Sequence, residues 1–480
     1  MSKSRFVLVL IISVILCEPY CIAQAGKNLS VVKVYPDSVL NDVSGHPVGI
    51  NLDFLTDNDK YLNPRRKLVD ALKAMGVKYL RYPGGNKSDF YFFSKPPYDK
   101  AEPTLARTGK GALGGREMMM KDNYTHFKFD VLDFDEYMSI CKEVGAEPVI
   151  VVAGDEYNVK YPPGSTWSTR EQLIKNAVEW VRYANVKKKY NIKYWLIANE
   201  TWNIYIKDGA NVYANDVIDF SKAMKAIDPS IHIVPNGNTD QWWKTVLTKT
   251  AGYIDDICVS NYPINVCDTV KSLTLPADIA LRSIKKYTSV ADQQRLKVIV
   301  AEYGPFSWCN GGGSTFINTM ANNMVNMQIG FQLLEDHGVA FSCFWNTRWI
   351  DDGGGKFNGF DALNKDGYFN ANGYGLMILG KFLGDQMILT KASGGLKTYA
   401  SVSADKKRLF LYILNPTIEA INVSPLIKNY SIKNVNQAYE LLGSGPDDQK
   451  PVWQAIRNIS TNDTQTIAGS SVRVVEYQLN

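Results

Sequence analysis

Residues 147–153 read EPVIVVA, and residues 193–198 read KYWLIA. Neither run alternates apolar with polar residues as a half-solvated strand does. Each therefore reads as a strand buried on both faces, as in a parallel sheet. Between them, Ser168-Thr169-Arg170-Glu171 reads as a capping box opening a helix over 168–188, with Leu173, Ala177, Trp180 and Val181 on its apolar face. The same alternation continues on both sides. Further strands are expected at 49–54 (GINLDF), 78–83 (KYLRYP), 231–235 (IHIVP), 256–262 (DICVSNY), 297–302 (KVIVAE) and 340–346 (AFSCFWN). Helical patterns fall at 64–75 behind Pro64 as a first-turn residue, and at 132–144, 212–227, 240–251, 276–288, 315–336 and 373–383. Eight strand–helix alternations predict an α/β fold, a (β/α)8 TIM barrel over residues 45–385. After residue 386 the pattern changes to β-rich runs such as 408–414, 436–442 and 471–479, separated by Gly, Pro and Asp. This predicts a C-terminal antiparallel β-sandwich over 386–480, joined by an N-terminal strand within 26–44.

In such a barrel, chemistry sits at the C-terminal ends of the strands. Strand two ends in Arg81-Tyr82-Pro83-Gly84-Gly85-Asn86, strand four in Ala198-Asn199-Glu200, and strand six in Asn261-Tyr262-Pro263. Strand seven ends in Ala301-Glu302-Tyr303-Gly304 and strand eight in Trp345-Asn346-Thr347-Arg348-Trp349. A carboxylate directly after a buried apolar strand needs a partner or a task. Either Glu alone is more simply a rim ion pair. Glu200 and Glu302 on one rim, among aromatic residues, instead fit glycoside hydrolysis, in which one carboxyl protonates the leaving oxygen and another acts as nucleophile or base. Trp345, Arg348 and Trp349 suggest a sugar platform with a polar clamp, against the plainer reading of packing under loops. Trp202 and Trp308 each follow one of these Glu residues and are candidates for lining a subsite. Asp53 and Asp155 are candidates for hydrogen bonds to a sugar, with structural partnering at the barrel mouth an equal alternative.

Tyr194-Trp195-Leu196-Ile197-Ala198-Asn199-Glu200 and Val298-Ile299-Val300-Ala301-Glu302-Tyr303 resemble the two catalytic motifs of the clan A retaining glycoside hydrolases. Within that clan, Leu80-Arg81-Tyr82-Pro83-Gly84-Gly85-Asn86 is similar to the family 51 α-L-arabinofuranosidases, whose layout of barrel plus terminal sandwich is shared with families 39, 79 and 86. The resemblance implies Glu200 as acid/base and Glu302 as nucleophile. It further implies that Asn199 bonds the hydroxyl beside the anomeric carbon, that Tyr262 donates to Glu302, and that Arg81 keeps that nucleophile ionised. Where family 51 carries a His near the strand-six Tyr, this chain has Ser260-Asn261. Gly85-Asn86-Lys87-Ser88-Asp89-Phe90 is closer to the heparanase-like family 79.

The long connection at 94–128 leaves the catalytic face with seven Lys and Arg against four Asp and Glu. Its cations suggest an anionic polymer, against the plainer reading of a solvated charge mixture. The expected partner is thus a polysaccharide or oligosaccharide, either arabinofuranosidic or, as the alternative, an acidic or algal glycan. A non-catalytic carbohydrate-binding barrel is the rival from another class. Aromatic residues make up 12% of the chain, enough to supply flat surfaces for sugar rings. The net charge is only +5 and no long basic run exists, so no nucleic-acid partner is expected. With four His and no CxxC, neither a metal nor a cofactor is expected. Lys3 and Arg5 precede an apolar run at 6–16, and Ala23-Gln24-Ala25 offers a cleavage site. Residues 1–25 therefore read as a signal peptide of a secreted protein without a membrane span. Cys258 and Cys343, inside strands, are expected buried and unpaired, while Cys267 and Cys309 on neighbouring loops are placed to form a disulfide.

Overall fold

A computed structural model describes residues 29–108, 120–121, 126–127, 130–154, 166–203, 207–262, 272–304, 318–348, 361–393, 395–457, 459 and 464–480. The eight expected barrel strands form one parallel sheet. They are β2 (Val48–Asn51), β3 (Tyr79–Tyr82), β4 (Glu147–Val152), β5 (Tyr194–Ile197), β6 (His232–Pro235), β7 (Ile257–Asn261), β8 (Val298–Tyr303) and β9 (Val339–Phe344), following β1 (Leu29–Asp42). The ladder runs β6-β5-β4-β3-β2-β9-β8-β7. A bridge between Asn236 and Cys258, with Gly237 N–H donating to the Cys258 carbonyl at 3.1 Å, closes the ring between β6 and β7.

The strands lack alternation because both of their faces are covered. Val149, Val151, Leu196, Val234, Cys258, Ile299, Phe341 and Cys343 fill the barrel interior with no more than 2% exposure each. Their neighbours Ile150, Val152, Trp195, Ile197, Ile233, Val259 and Val300 face the surrounding helices and are equally buried. Interior space is tight: a Cβ on Gly49 would stand 2.7 Å from both Cys343 Sγ and the Tyr79 carbonyl oxygen. Cys258 and Cys343 are free thiols, while Cys267 and Cys309 lie outside the described residues.

The helices are α1 (Asp59–Leu62), α2 (Leu68–Met75), α3 (Phe134–Val144), α4 (Arg170–Val181), α5 (Gly209–Lys225), α6 (Asp240–Thr250), α7 (Leu275–Tyr287), α8 (Val290–Arg295), α9 (Met320–Glu335) and α10 (Ala371–Lys381). Most of the expected helix starts shift by a few residues, and two show why. Pro64 precedes α2, whose Leu68 N–H is satisfied at 2.8 Å by the side chain of Asp59. The capping box of α4 uses Thr169 and Gln172. Ser168, read as its first member, donates instead to the Ala106 carbonyl at 2.8 Å.

After the barrel come β10 (Gln386–Lys391), β11 (Lys397–Val402), β12 (Arg408–Asn415), β13 (Ile421–Ile427), β14 (Ile432–Leu442), β15 (Val452–Ala455), β16 (Gln465–Ile467) and β17 (Ser471–Leu479). Together with β1 they form a separate nine-stranded sheet, ordered β15-β14-β17-β12-β11-β10-β1-β13-β16, that resembles a β-sandwich. The sheet is mixed, because β1 pairs antiparallel with β10 but parallel with β13. Phe331 of α9 stacks on Tyr399 of this sheet with ring centroids 4.5 Å apart, and Asn41 Nδ2 donates to the Leu334 carbonyl at 2.8 Å.

Candidate active site

Arg81, the third residue of β3, points into the barrel mouth and is only 2% exposed. Its Nη1 donates to Glu302 Oε1 at 2.9 Å and to Asn51 Oδ1 at 2.7 Å, and its Nη2 donates to Asn199 Oδ1 at 2.5 Å. A planar guanidinium with several fixed donors can tie three strand ends together; an ammonium cannot hold that fork. Asn51 extends the network, its Nδ2 donating to the Ala301 carbonyl at 2.9 Å and the Phe344 carbonyl at 3.2 Å.

Strict alternation would point Ala301 inward and Glu302 outward. The β7–β8 register breaks here: Val259 pairs with Val300, but Ser260 pairs with Glu302, so one residue is skipped. A bulge of this kind re-aims a side chain. Ala301 stays in the interior layer while the Glu302 carboxylate reaches Arg81. Tyr262, just past β7, donates to the other carboxylate oxygen at 2.8 Å.

Glu200 stands beyond the end of β5 on a strained backbone. Ala198 and Glu200 adopt φ of 57° and 49°, a left-handed conformation disfavoured for residues with a Cβ. Burial first, then the negative charge of Glu302, pushes the Glu200 carboxyl up to about 7. A hydrogen bond from Ser260 and the charge of Arg81 act in the opposite direction. The two carboxyls thus differ in surroundings: Glu302 is ion-paired and doubly hydrogen-bonded, whereas Glu200 is placed to hold a proton near neutrality.

The remaining expected residues separate into groups. Trp345 is 5% exposed and lies against Gly85, where a Cβ would overlap the indole. Its backbone N–H donates to the Tyr303 carbonyl at 2.9 Å, and its indole walls the mouth over Gly85. Trp202 is half-buried in the turn Thr201–Asn203 that follows Glu200. Arg348, read as a clamp for sugar, is 1% exposed and bound to Asp57 at 3.0 Å and Asp59 at 3.2 Å, which makes it a brace beneath the rim. Asp53 has internal partners as well, accepting from Leu55 N–H at 3.0 Å and from Lys87. Asp155, Trp308 and Trp349 lie outside the described residues.

Three of the seven cations in the 94–128 connection can be followed. Lys95 and Lys100 both pair with Glu102, at 2.5 and 2.9 Å. Arg107 is 3% exposed between the rings of Phe90 and Trp167. Lys95 and Lys100 thus pair within the loop and Arg107 packs against rings outside it; Lys110, Arg116 and Lys128 lie outside the described residues, as does the Lys121 side chain. Among the described residues, no three His, Cys, Asp or Glu side chains gather as metal ligands would, and no helix is long and apolar enough to cross a membrane.

The sequence reading singled out Arg81, Asn199, Glu200, Tyr262 and Glu302, and the fold brings these together. Ser260 and Asp89 stood only in quoted motifs and Asn51 only within the first strand, none with a role at the site. Their only signal was a polar residue at a strand end or in the turn after one.

Comparison with known proteins bears on the fold. A family model described as the Alpha-L-arabinofuranosidase 1 domain matches residues 71–265. The intracellular exo-alpha-(1->5)-L-arabinofuranosidase of Acetivibrio thermocellus is 27% identical over 218 residues, 41% of this chain and 39% of that protein. The probable alpha-L-arabinofuranosidase C of Aspergillus fumigatus is 27% identical over 201 residues, 37% of this chain and 34% of its own length. The matched stretch therefore spans well under half of either relative. Among solved structures, the α-L-arabinofuranosidase of Thermotoga maritima, in an arabinose complex, aligns with a TM-score of 0.70 at 17% identity, covering 94% of this chain and 100% of that one. A family 44 xyloglucanase of Paenibacillus polymyxa gives a TM-score of 0.59 at 14% identity, covering 94% of this chain and 99% of that one. At these identities the likeness is one of fold: a barrel of the clan A glycoside hydrolase type with an appended β-sheet, resembling family 51 arabinofuranosidase structures.

Proposed function

We propose that the chain is a secreted retaining glycoside hydrolase that cleaves α-L-arabinofuranosidic bonds in polysaccharides or oligosaccharides. The observation that carries this reading is the contrast between two carboxyls on one rim. Glu302 accepts from Arg81 and Tyr262, and Glu200 is raised to about 7. That is the division of labour that double displacement needs. Glu302 attacks the anomeric carbon while the Glu200 proton moves to the departing oxygen. A covalent glycosyl-enzyme forms and the aglycone leaves as an alcohol. Glu200, now a carboxylate, takes a proton from water, which attacks the same carbon, releases the sugar with retained configuration and restores both side chains. Asn199, held by Arg81, bonds the hydroxyl beside the reacting carbon, and Trp345 and Trp202 supply the flat walls.

The arabinofuranoside is preferred to an acidic glycan on two grounds. The two sequence relatives named above carry arabinofuranosidase names, and Lys87, Lys95 and Lys100 each already face a carboxylate of the chain itself. The test is a panel of aryl glycosides with proton NMR of the first product. Turnover of the α-L-arabinofuranoside with a product of unchanged anomeric configuration is expected. Faster turnover of a β-D-glucuronide would move the substrate class, and an inverted product would exclude double displacement. Inertness across the panel with retained sugar binding would favour the binding barrel. Secretion is tested by the intact mass of the exported protein, expected to lack residues 1–25; retention of those residues would contradict it.

A further inference from the structure

Asp89 lies in the turn Gly85–Phe90 that leaves β3, and it is 3% exposed. One carboxylate oxygen accepts from Gly154 N–H at 3.4 Å, beyond the end of β4. The other accepts from Asn199 N–H at 3.2 Å, beyond the end of β5. Asn199 sits between Ala198 and Glu200, the two residues with left-handed backbone. That conformation is unfavourable for a residue with a Cβ and persists only where the surroundings over-determine it. Asn236 holds the same segment from the opposite side, its Nδ2 donating to the carbonyls of Ile197 at 3.0 Å and Ala198 at 3.3 Å. The backbone that carries Glu200 is thus gripped by an acceptor on one side and a donor on the other.

We propose that Asp89 is a positioning residue for Glu200, fixing the left-handed course of residues 198–200 so that the Glu200 carboxyl meets the leaving-group oxygen. A carboxylate suits this place because each of its two oxygens can accept from one of these N–H groups. An asparagine would turn its own NH2 toward one of those donors and leave a buried N–H unpaired. Asp89 acts on Glu200 through the main chain, by the bond it accepts from Asn199 N–H. The inference rests on the reading of Glu200 as the acid.

The experiment compares two leaving groups. Phenol needs protonation by the acid to depart; dinitrophenolate does not. Turnover of phenyl and dinitrophenyl α-L-arabinofuranosides, or of the β-D-glucuronides should the arabinosides be inert, is measured for the wild type, Asp89→Asn, Asp89→Ser, Glu200→Gln and the double variant Asp89→Asn/Glu200→Gln. A displacement of about 1 Å can cost about 100-fold in rate. Asp89→Asn is therefore expected to lose about 100-fold on the phenyl glycoside and under about 10-fold on the dinitrophenyl glycoside. Both substrates are read on one preparation, so any misfolded fraction cancels in the ratio, and Asp89→Ser repeats the test if Asp89→Asn is not recovered. The double variant should show no more leaving-group bias than Glu200→Gln alone. Equal losses on both substrates, or a lowered Tm with an unchanged ratio, would reduce Asp89 to a structural residue and overturn the inference. If Glu200→Gln itself shows no bias, the assignment of Glu200 fails and the inference falls with it. If Glu200→Gln shows bias and both Asp89 variants do not, only the inference fails.

Discussion

Ser260 donates to Glu200 and so favours its charged form, against the larger effects of burial and of Glu302. Ser260→Ala removes a lowering influence, so the Glu200 pKa rises from about 7. Because the acid works protonated, the alkaline limb of kcat/KM is expected at higher pH than in the wild type. An unmoved or lowered limb would show that Ser260 is not bonded to the acid. The same raised carboxyl has a consequence for stability. A group whose folded pKa lies above its unfolded value contributes most below the unfolded value and becomes costly as pH rises through the folded one. Glu200→Gln is therefore expected to raise Tm relative to the wild type more at pH 8 than at pH 5, as scanning calorimetry would record, while abolishing the proton donor. At this scale the sequence was legible where one polar residue directly ends an apolar strand, as at Arg81, Asn199, Glu200 and Glu302. Ser260 and Asp89 were not legible in these roles, because their partners come from other strands through a bulge and a turn that no local pattern encodes.

Elements follow the hydrophobic pattern closely because both strand faces are filled. Each expected barrel strand forms, with ends moved by a few residues at most. Helix starts were less legible, since the first N–H groups of a helix donate to any acceptor within reach. Leu68 uses Asp59, nine residues upstream, and α4 uses Thr169 in place of Ser168. Thr169→Ala is expected to lower stability by about 1 kcal/mol in urea unfolding with kcat unchanged. A loss of activity matching the loss of stability would mean that α4 steers the rim as well as supporting it. The 94–128 connection pairs with its surroundings, Thr104–Leu105 with Tyr91–Phe92 before it and Arg107–Thr108 with Thr166–Trp167 beyond it. Phe93 stacks on Trp180 of α4 with centroids 5.4 Å apart, so the first half of the loop is fastened to the barrel wall.

Across the whole molecule, β1 links the beginning of the barrel to the sheet that follows it. Pairing between residues so distant in sequence leaves only a β-rich pattern at each end, so the parallel partnership of β1 with β13 could not be read beforehand. Among the described residues, one aromatic contact zone between the two bodies centres on the fully buried Phe331, which meets Tyr399 and Tyr412 at 4.5 Å each, and another on Phe382, which meets Tyr439 and Trp453. Phe331→Ala is expected to cost about 3–5 kcal/mol. If the zone couples barrel and sheet, calorimetry should record a single transition in the wild type and a lower or split one in the variant. An unchanged transition would mean that the two fold independently of this contact.

The central claim is the division of roles between Glu200 and Glu302, and azide rescue with identification of the product anomer tests it most directly. On a dinitrophenyl glycoside, Glu200→Ala should still glycosylate Glu302, and azide should then restore turnover to give a glycosyl azide of retained configuration. Glu302→Ala cannot form the covalent intermediate, so azide should give only the inverted product. Near-normal activity in Glu302→Ala, or retained azide product from Glu302→Ala and inverted from Glu200→Ala, would contradict the account.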